Sequence, residues 1–137
     1  MSMPCQAEVL NWTHTLCTVL EENYKVTSSN HHKRAIERGE SVPYHVEQLE
    51  SIAKGEYNLR KSFTVETGRK YHKIVMTDNQ QSVHAFVDKN TGEVYKPASW
   101  KSPHTKHVRY DLRIIKEREY AYENCDWAGG WLYLRRG

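Results

Sequence analysis

Residues 83–103 read VHAFVDKNTGEVYKPASWKSP. The run from Val83 to Val87 is rich in β-formers, Lys89-Asn90-Thr91-Gly92 carries turn chemistry, and Glu93-Val94-Tyr95-Lys96 resumes an extended pattern, so the stretch predicts a β-hairpin. Asn90 and Gly92 are the residues able to supply the positive φ angles such a turn asks for. Pro97 and Pro103 then bracket ASWKS, which reads as an irregular loop, because proline cannot donate to a ladder and restrains its predecessor. A hairpin needs no such tail.

Working outward, the chain toward the N-terminus has period two from Tyr57. Phe63 and Val65 alternate with Ser62 and Thr64, ETGRK supplies a turn, and His72, Ile74 and Met76 alternate with Lys73 and Val75. With VRYDL as a short last strand, the sheet is expected to be an antiparallel meander of four or five strands over about 57–110. Ahead of it, AEVLNWTHTLCTVLEEN spaces Val9, Trp12, Leu16, Val19 and Leu20 as the stripe of an amphipathic helix. TSSN reads as a breaker. Two shorter helical pieces follow, 31–38 and 43–54, separated by Gly39 and closed by Gly55, with Val46, Leu49 and Ile52 on one face. Beyond the sheet, Asp111 is the expected N-cap of a helix LRIIKEREYAYEN, striped by Leu112, Ile115, Glu119 and Tyr122. DWAGGWLYLRRG predicts a turn with a final strand, or an arm that docks on another subunit. The fold class is α+β in a single domain, 1–137: a helical portion, 1–55, and a β-core with a C-terminal helix, 56–137.

A chain of 137 residues can bury a core without metals or disulfides. Nine Tyr and four Trp stand against two Phe, and such amphipathic rings favour interfaces and pocket walls, which points to a homo-oligomer or to ligand stacking. Cys5, Cys17 and Cys125 lack CxxC spacing, so a reducing compartment fits better than a disulfide framework. No apolar run is long enough for a membrane span, and MSMPCQAEVL does not read as a signal peptide. Charge is unevenly spread: residues 60–116 hold twelve Lys or Arg against five Asp or Glu, while the segments before and after are net acidic. A basic segment rich in aromatics suits phosphate carrying a stacked base.

Catalytic chemistry finds no foothold in the sequence. GxSxG, HExxH and P-loop patterns are missing, and Asp88 and Asp111 have turn and capping roles. Eight histidines raise the question of a metal. His31 and His32 are adjacent and His104 and His107 three apart, without a Cys or carboxylate at familiar spacing, so they are read as exposed loop histidines and no metal or cofactor is expected. Binding without turnover fits better. Lys96, Lys101, Arg109 and Arg113 are the candidate phosphate ligands, Ser99 a directional donor, and Trp100, Tyr95 or Tyr110 the candidate stacking surface. The alternative for these residues is a core plug at the sheet end with solvated lysines.

The run FVDKNTGEVYKPASWKSP, followed by VRYDL and DWAGGWLY, resembles a family of small tailed-phage proteins over residues 57–137, leaving the helical first 55 residues outside. More distantly it is similar to phage anti-defence sponges of the Thoeris-inhibitor type, through the segment from Lys96 to Pro103. That resemblance implies an oligomer in the host cytoplasm that sequesters a cyclic nucleotide or cyclic ADP-ribose immune signal without cleaving it. A nucleic-acid-binding accessory protein and an inhibitor of a host protein are the other expectations.

Overall fold

The structure, a computed structural model, describes residues 4–54 and 61–133. Two helices, α1 (Gln6–Glu37) and α2 (Val42–Ala53), precede five strands, β1 (Ser62–Thr67), β2 (Tyr71–Thr77), β3 (Gln81–Asp88), β4 (Glu93–Tyr95) and β5 (Tyr110–Asp111), and α3 (Ile115–Asn124) follows them. The strands lie in chain order, each antiparallel to the next, so the expected α+β meander is observed. The expected strand start at Tyr57 and helix closure at Gly55 lie outside the described residues.

Alternation sorts the sheet into two faces. Phe63, Val65, Ile74, Ala85, Val87, Val94 and Tyr110 point to one side, where they form a core with Val9, Leu16 and Leu20 of α1 and Ala121 of α3. Tyr122 of α3 donates its hydroxyl proton to the Trp12 carbonyl (3.1 Å), and Arg118 covers the Trp12 ring at 4.4 Å. The helices therefore make one layer and the sheet the other. On β3 the register shifts opposite the Ile74–Val75 step, and the extra residue, His84, reaches the helix side, where Phe63 meets it edge-on at 5.2 Å. At the outer edge of β1, the Phe63 N–H donates to the Glu21 carboxylate of α1 (2.9 Å).

TSSN does not break α1, which is continuous through it. Ser, Thr and Asn cost only a few tenths of a kcal/mol each in a helix interior, roughly 0.5, and no Gly or Pro interrupts 6–37. The helix ends instead at Gly39, whose φ of 75° lets its N–H reach the Ile36 carbonyl (3.0 Å) and the Glu40 N–H the Ala35 carbonyl (2.9 Å), a Schellman closure. Ser41, the N-cap of α2, is also left-handed at φ 44°. The buried face of α2 is rotated from the expected one: His45 and Ile52 are inside, whereas Val46 is exposed.

Three further expectations are corrected. Gly92 is left-handed but Asn90 is not; the turn is held by the Asp88 carboxylate, which accepts the Asn90 and Thr91 N–H groups (2.8 and 3.1 Å). Asp111 does not cap α3, which starts at Ile115. Leu112 instead extends the β4 pairing, its N–H on the Gly92 carbonyl (2.9 Å) and its side chain fully buried, and burying it there delays the helix and leaves Ile115 exposed. In DWAGGWLYLRRG the expected turn is present and no strand forms through Tyr133, residues 134–137 lying outside the described residues. The stretch closes as one 3₁₀ turn, Gly130–Leu132, with the Asp126 carboxylate accepting the Gly130 and Trp131 N–H groups (3.2 and 2.9 Å), and Trp131 enters the core.

Candidate functional site

The sheet face turned away from the helices carries Glu66, Tyr71, Lys73, Phe86 and Tyr95. Phe86 is the hub: it lies opposite Lys73 on one side and Tyr95 on the other, with the Tyr71 ring edge-on at 5.8 Å. Helices cover none of these residues, so the face needs another lid, and the segment after β4 supplies it. Pro97 and Pro103 form an antiparallel bridge, the Ala98 N–H bonds the Ser102 carbonyl (2.9 Å), and the Ser102 N–H bonds the Ser99 hydroxyl (3.2 Å). The expected irregular loop is thus a tight, internally bonded turn with Trp100 at its tip.

Lys73 ties this turn to the sheet. Its ammonium is 4.3 Å from the centre of the Trp100 ring and 5.9 Å from that of Phe86, within cation–π range of both. Beside it opens a groove of about 330 Å³ with Tyr71 and Phe86 as aromatic walls and Arg69, Lys70, Lys73 and Lys101 around them, against one acid among the described residues, Glu66. The β1–β2 turn that bears Arg69 and Lys70 is fixed by Lys89, whose ammonium donates to the Gly68 carbonyl (3.0 Å) and whose N–H donates to the Lys70 carbonyl (3.0 Å). Trp100 walls off a second, shallower depression of about 320 Å³ with Ser82, Val83, Pro97, Ala98 and Ser99. Four cations beside flat rings can neutralise phosphate and stack a base.

The sequence-predicted residues divide. Lys101 lines the groove and Trp100 borders it through Lys73. Tyr95 lies behind Phe86, nearly buried, its hydroxyl pushed up to about 12 by burial and then by Glu93; it backs the groove as a neutral group. Ser99 accepts the Ser102 N–H on its hydroxyl within the turn (3.2 Å) and faces the second depression rather than the groove. Lys96 leans away, over the Tyr133 ring at 4.5 Å. Arg113 is held by Asp111, its Nη2 on one carboxylate oxygen at 2.7 Å. Arg109 is buried, and its Nε has no hydrogen-bond partner among the described residues. Tyr110 is no stacking surface: it is fully buried, its hydroxyl donates to the Trp131 carbonyl (3.0 Å), and its ring stacks on Trp131 at 5.2 Å. Pairing with Val94 sends it to the helix side.

Arg69, Lys70, Tyr71, Lys73 and Phe86 escaped the sequence reading, although period two alone puts Tyr71 and Lys73 on one face. Two histidines of the sheet are taken up by structure. His72 is buried with Nδ1 against the Thr67 hydroxyl (2.9 Å), and burial, then Lys89, lowers its pKa. His84 accepts the Trp131 indole N–H on Nε2 (2.9 Å), and burial brings its pKa down to about 4. Cys17 and Cys125 are buried, and burial raises both thiols to about 12, which keeps them protonated and unreactive. No helix among the described residues is long and apolar enough to cross a membrane.

No curated protein and no solved structure matches the chain. A family model does, over residues 2–134, and the chain belongs to that family, DUF7717, a family of unknown function. The match takes in both N-terminal helices, which the resemblance over 57–137 had left out.

Proposed function

We propose, from the groove rather than from the family, that this protein binds a small phosphorylated nucleotide on the open face of its sheet and holds it without turnover. The observation that carries the reading is the placement of Lys73 against the rings of Trp100 and Phe86, with Arg69, Lys70 and Lys101 beside it. Arg69 and the lysines would neutralise phosphate, and the aromatic walls would take the base. A volume of about 330 Å³ is at the small end of the ~300–1,000 Å³ range for ligand sites. One nucleotide unit fills it, so a cyclic dinucleotide or cyclic ADP-ribose would extend along the open side or meet a second copy. Sequestration of such a signal by a phage anti-defence protein is the function this proposal serves.

The test is capture and release. Purified protein is incubated with cyclic dinucleotides, cyclic trinucleotides and cyclic ADP-ribose isomers, then heat-denatured, and the small molecules are recovered. Intact ligand released only on heating supports the proposal, an altered ligand makes the protein an enzyme, and no depletion of any ligand sinks it. Affinity for single-stranded nucleic acid that falls steeply with salt, as counterion release demands, would move the groove to the polymer reading.

A further inference from the structure

Away from the groove, His31 and His32 of α1 and His45 of α2 bring one ring nitrogen each to within 4.8 Å of one another. Adjacent helical residues diverge by about 100°, so His31 and His32 cannot chelate by themselves. α2 joins them: its first turn inserts His45 against both, with ring centres 5.8 Å from His31 and 4.9 Å from His32. His32 and His45 are buried, 5% and 8% exposed, while His31 is exposed. The two buried rings face each other through Nδ1, 2.6 Å apart, and Tyr44 abuts both, 6.0 Å from His32 and 5.0 Å from His45.

We propose that His31, His32 and His45 form a transition-metal site, suited to Zn(II), that clips α2 onto α1. Zinc takes imidazole nitrogen at about 2.0–2.1 Å in tetrahedral array, which sets its ligand atoms about 3.3 Å apart. The His32–His45 nitrogens, 2.6 Å apart, are closer than that and the His31 nitrogen lies within 4.8 Å of both, so rotations of the rings bring the three into the array. Three neutral imidazoles leave the ion its full charge. The Glu40 carboxylate in the turn between the helices is held by Arg38 (3.0 and 3.3 Å) and interacts more weakly with His45 and His31, so it offsets only a small part of that charge. The fourth position opens on the exposed His31 side and falls to water. Imidazole without thiolate favours zinc, copper or nickel over calcium or magnesium.

The site is tested on the full chain, stripped with chelator and titrated with Zn(II) alone by calorimetry, with Co(II) as a spectroscopic stand-in. One ion per chain is expected, with the visible bands of four-coordinate Co(II) and a rise in the melting temperature. His31→Ala removes an exposed side chain and should leave the metal-free fold intact by circular dichroism. It should weaken Zn(II) by more than about tenfold, the loss that removal of even an outer-shell partner causes, and His45→Ala should do the same. Absence of saturable binding overturns the site. So does wild-type affinity in both variants, or binding lost only in Cys5→Ser, since Cys5 is the exposed thiol. None of these outcomes depends on what the groove binds.

Discussion

The two halves of α1 are buried by different means. Its first half presents Val9, Leu16 and Leu20, all fully inside, to a sheet that answers with Ile74, Val87 and Val94. Its second half presents His32 and Ala35 to α2, which answers with His45 and Ile52. At ~1.5 Å per residue the helix is about 48 Å long, so one rigid element carries a dry core at one end and a polar contact at the other. Apolar burial scales with area and needs no partner atom, whereas histidine contacts depend on protons or an ion. The sheet end is thus expected to set global stability, and the end where α2 folds back on α1, a helical hairpin, to open locally.

Trp131→Ala offers the widest gap between the ends. It empties a fully buried ring site and leaves His84 Nε2 without its donor, for an expected loss of about 3–5 kcal/mol in urea unfolding. Ile52→Ala between α1 and α2 should cost about 2 kcal/mol, the low end for a buried isoleucine, and equal losses would erase the distinction. Acid should discriminate almost as strongly. The folded chain keeps His84 neutral down to about 4, while the unfolded chain takes up a proton at the ordinary imidazole value of 6.5. Its contribution is therefore fully present above 6.5, falls as pH drops toward 4, and is then spent, on the order of 3 kcal/mol in all. Denaturant unfolding across that window should show the slope in wild type and a flatter one in His84→Gln; parallel slopes would remove His84 as the cause.

Smaller effects probe the hairpin and the groove. Ser41 is left-handed and makes no side-chain cap bond, so Ser41→Gly should relieve strain and gain about 1 kcal/mol. The gain should appear as slower amide exchange in α2 with none in β2, and a loss of protection would give the Ser41 side chain a role of its own. Lys73→Ala should cost about 1 kcal/mol of stability, the worth of its cation–π contacts, while abolishing nucleotide capture. Unfolding of that variant would recast the Lys73–Trp100 contact as a structural strut.

The sheet was legible because period two and turn residues are local signals, as in Phe63/Val65 and Asp88–Gly92. The start of α3 was not, since Asp111 has a capping residue's chemistry but Leu112 is claimed by the core first. The groove was half legible: Trp100 and Lys101 stood out as surplus to a hairpin, yet Arg69–Lys73 and Phe86 join them only through strand register. Tyr110 was misread for want of one step of alternation from Val94. The histidine cluster was half signalled: His31 and His32 stand adjacent in the sequence, but His45 joins them only once a left-handed Ser41 has turned α2 back on α1.

The Glu21 carboxylate on the Phe63 N–H has a consequence for how copies of this chain can meet. A sheet edge is an invitation to strand addition, and here the β1 edge begins with its donor already engaged by a helix. At the opposite edge, β5 is only two residues long. Fibre-like growth by edge-to-edge pairing is therefore disfavoured at both margins, and contacts between copies are directed to the faces, where side chains rather than backbone decide the partner.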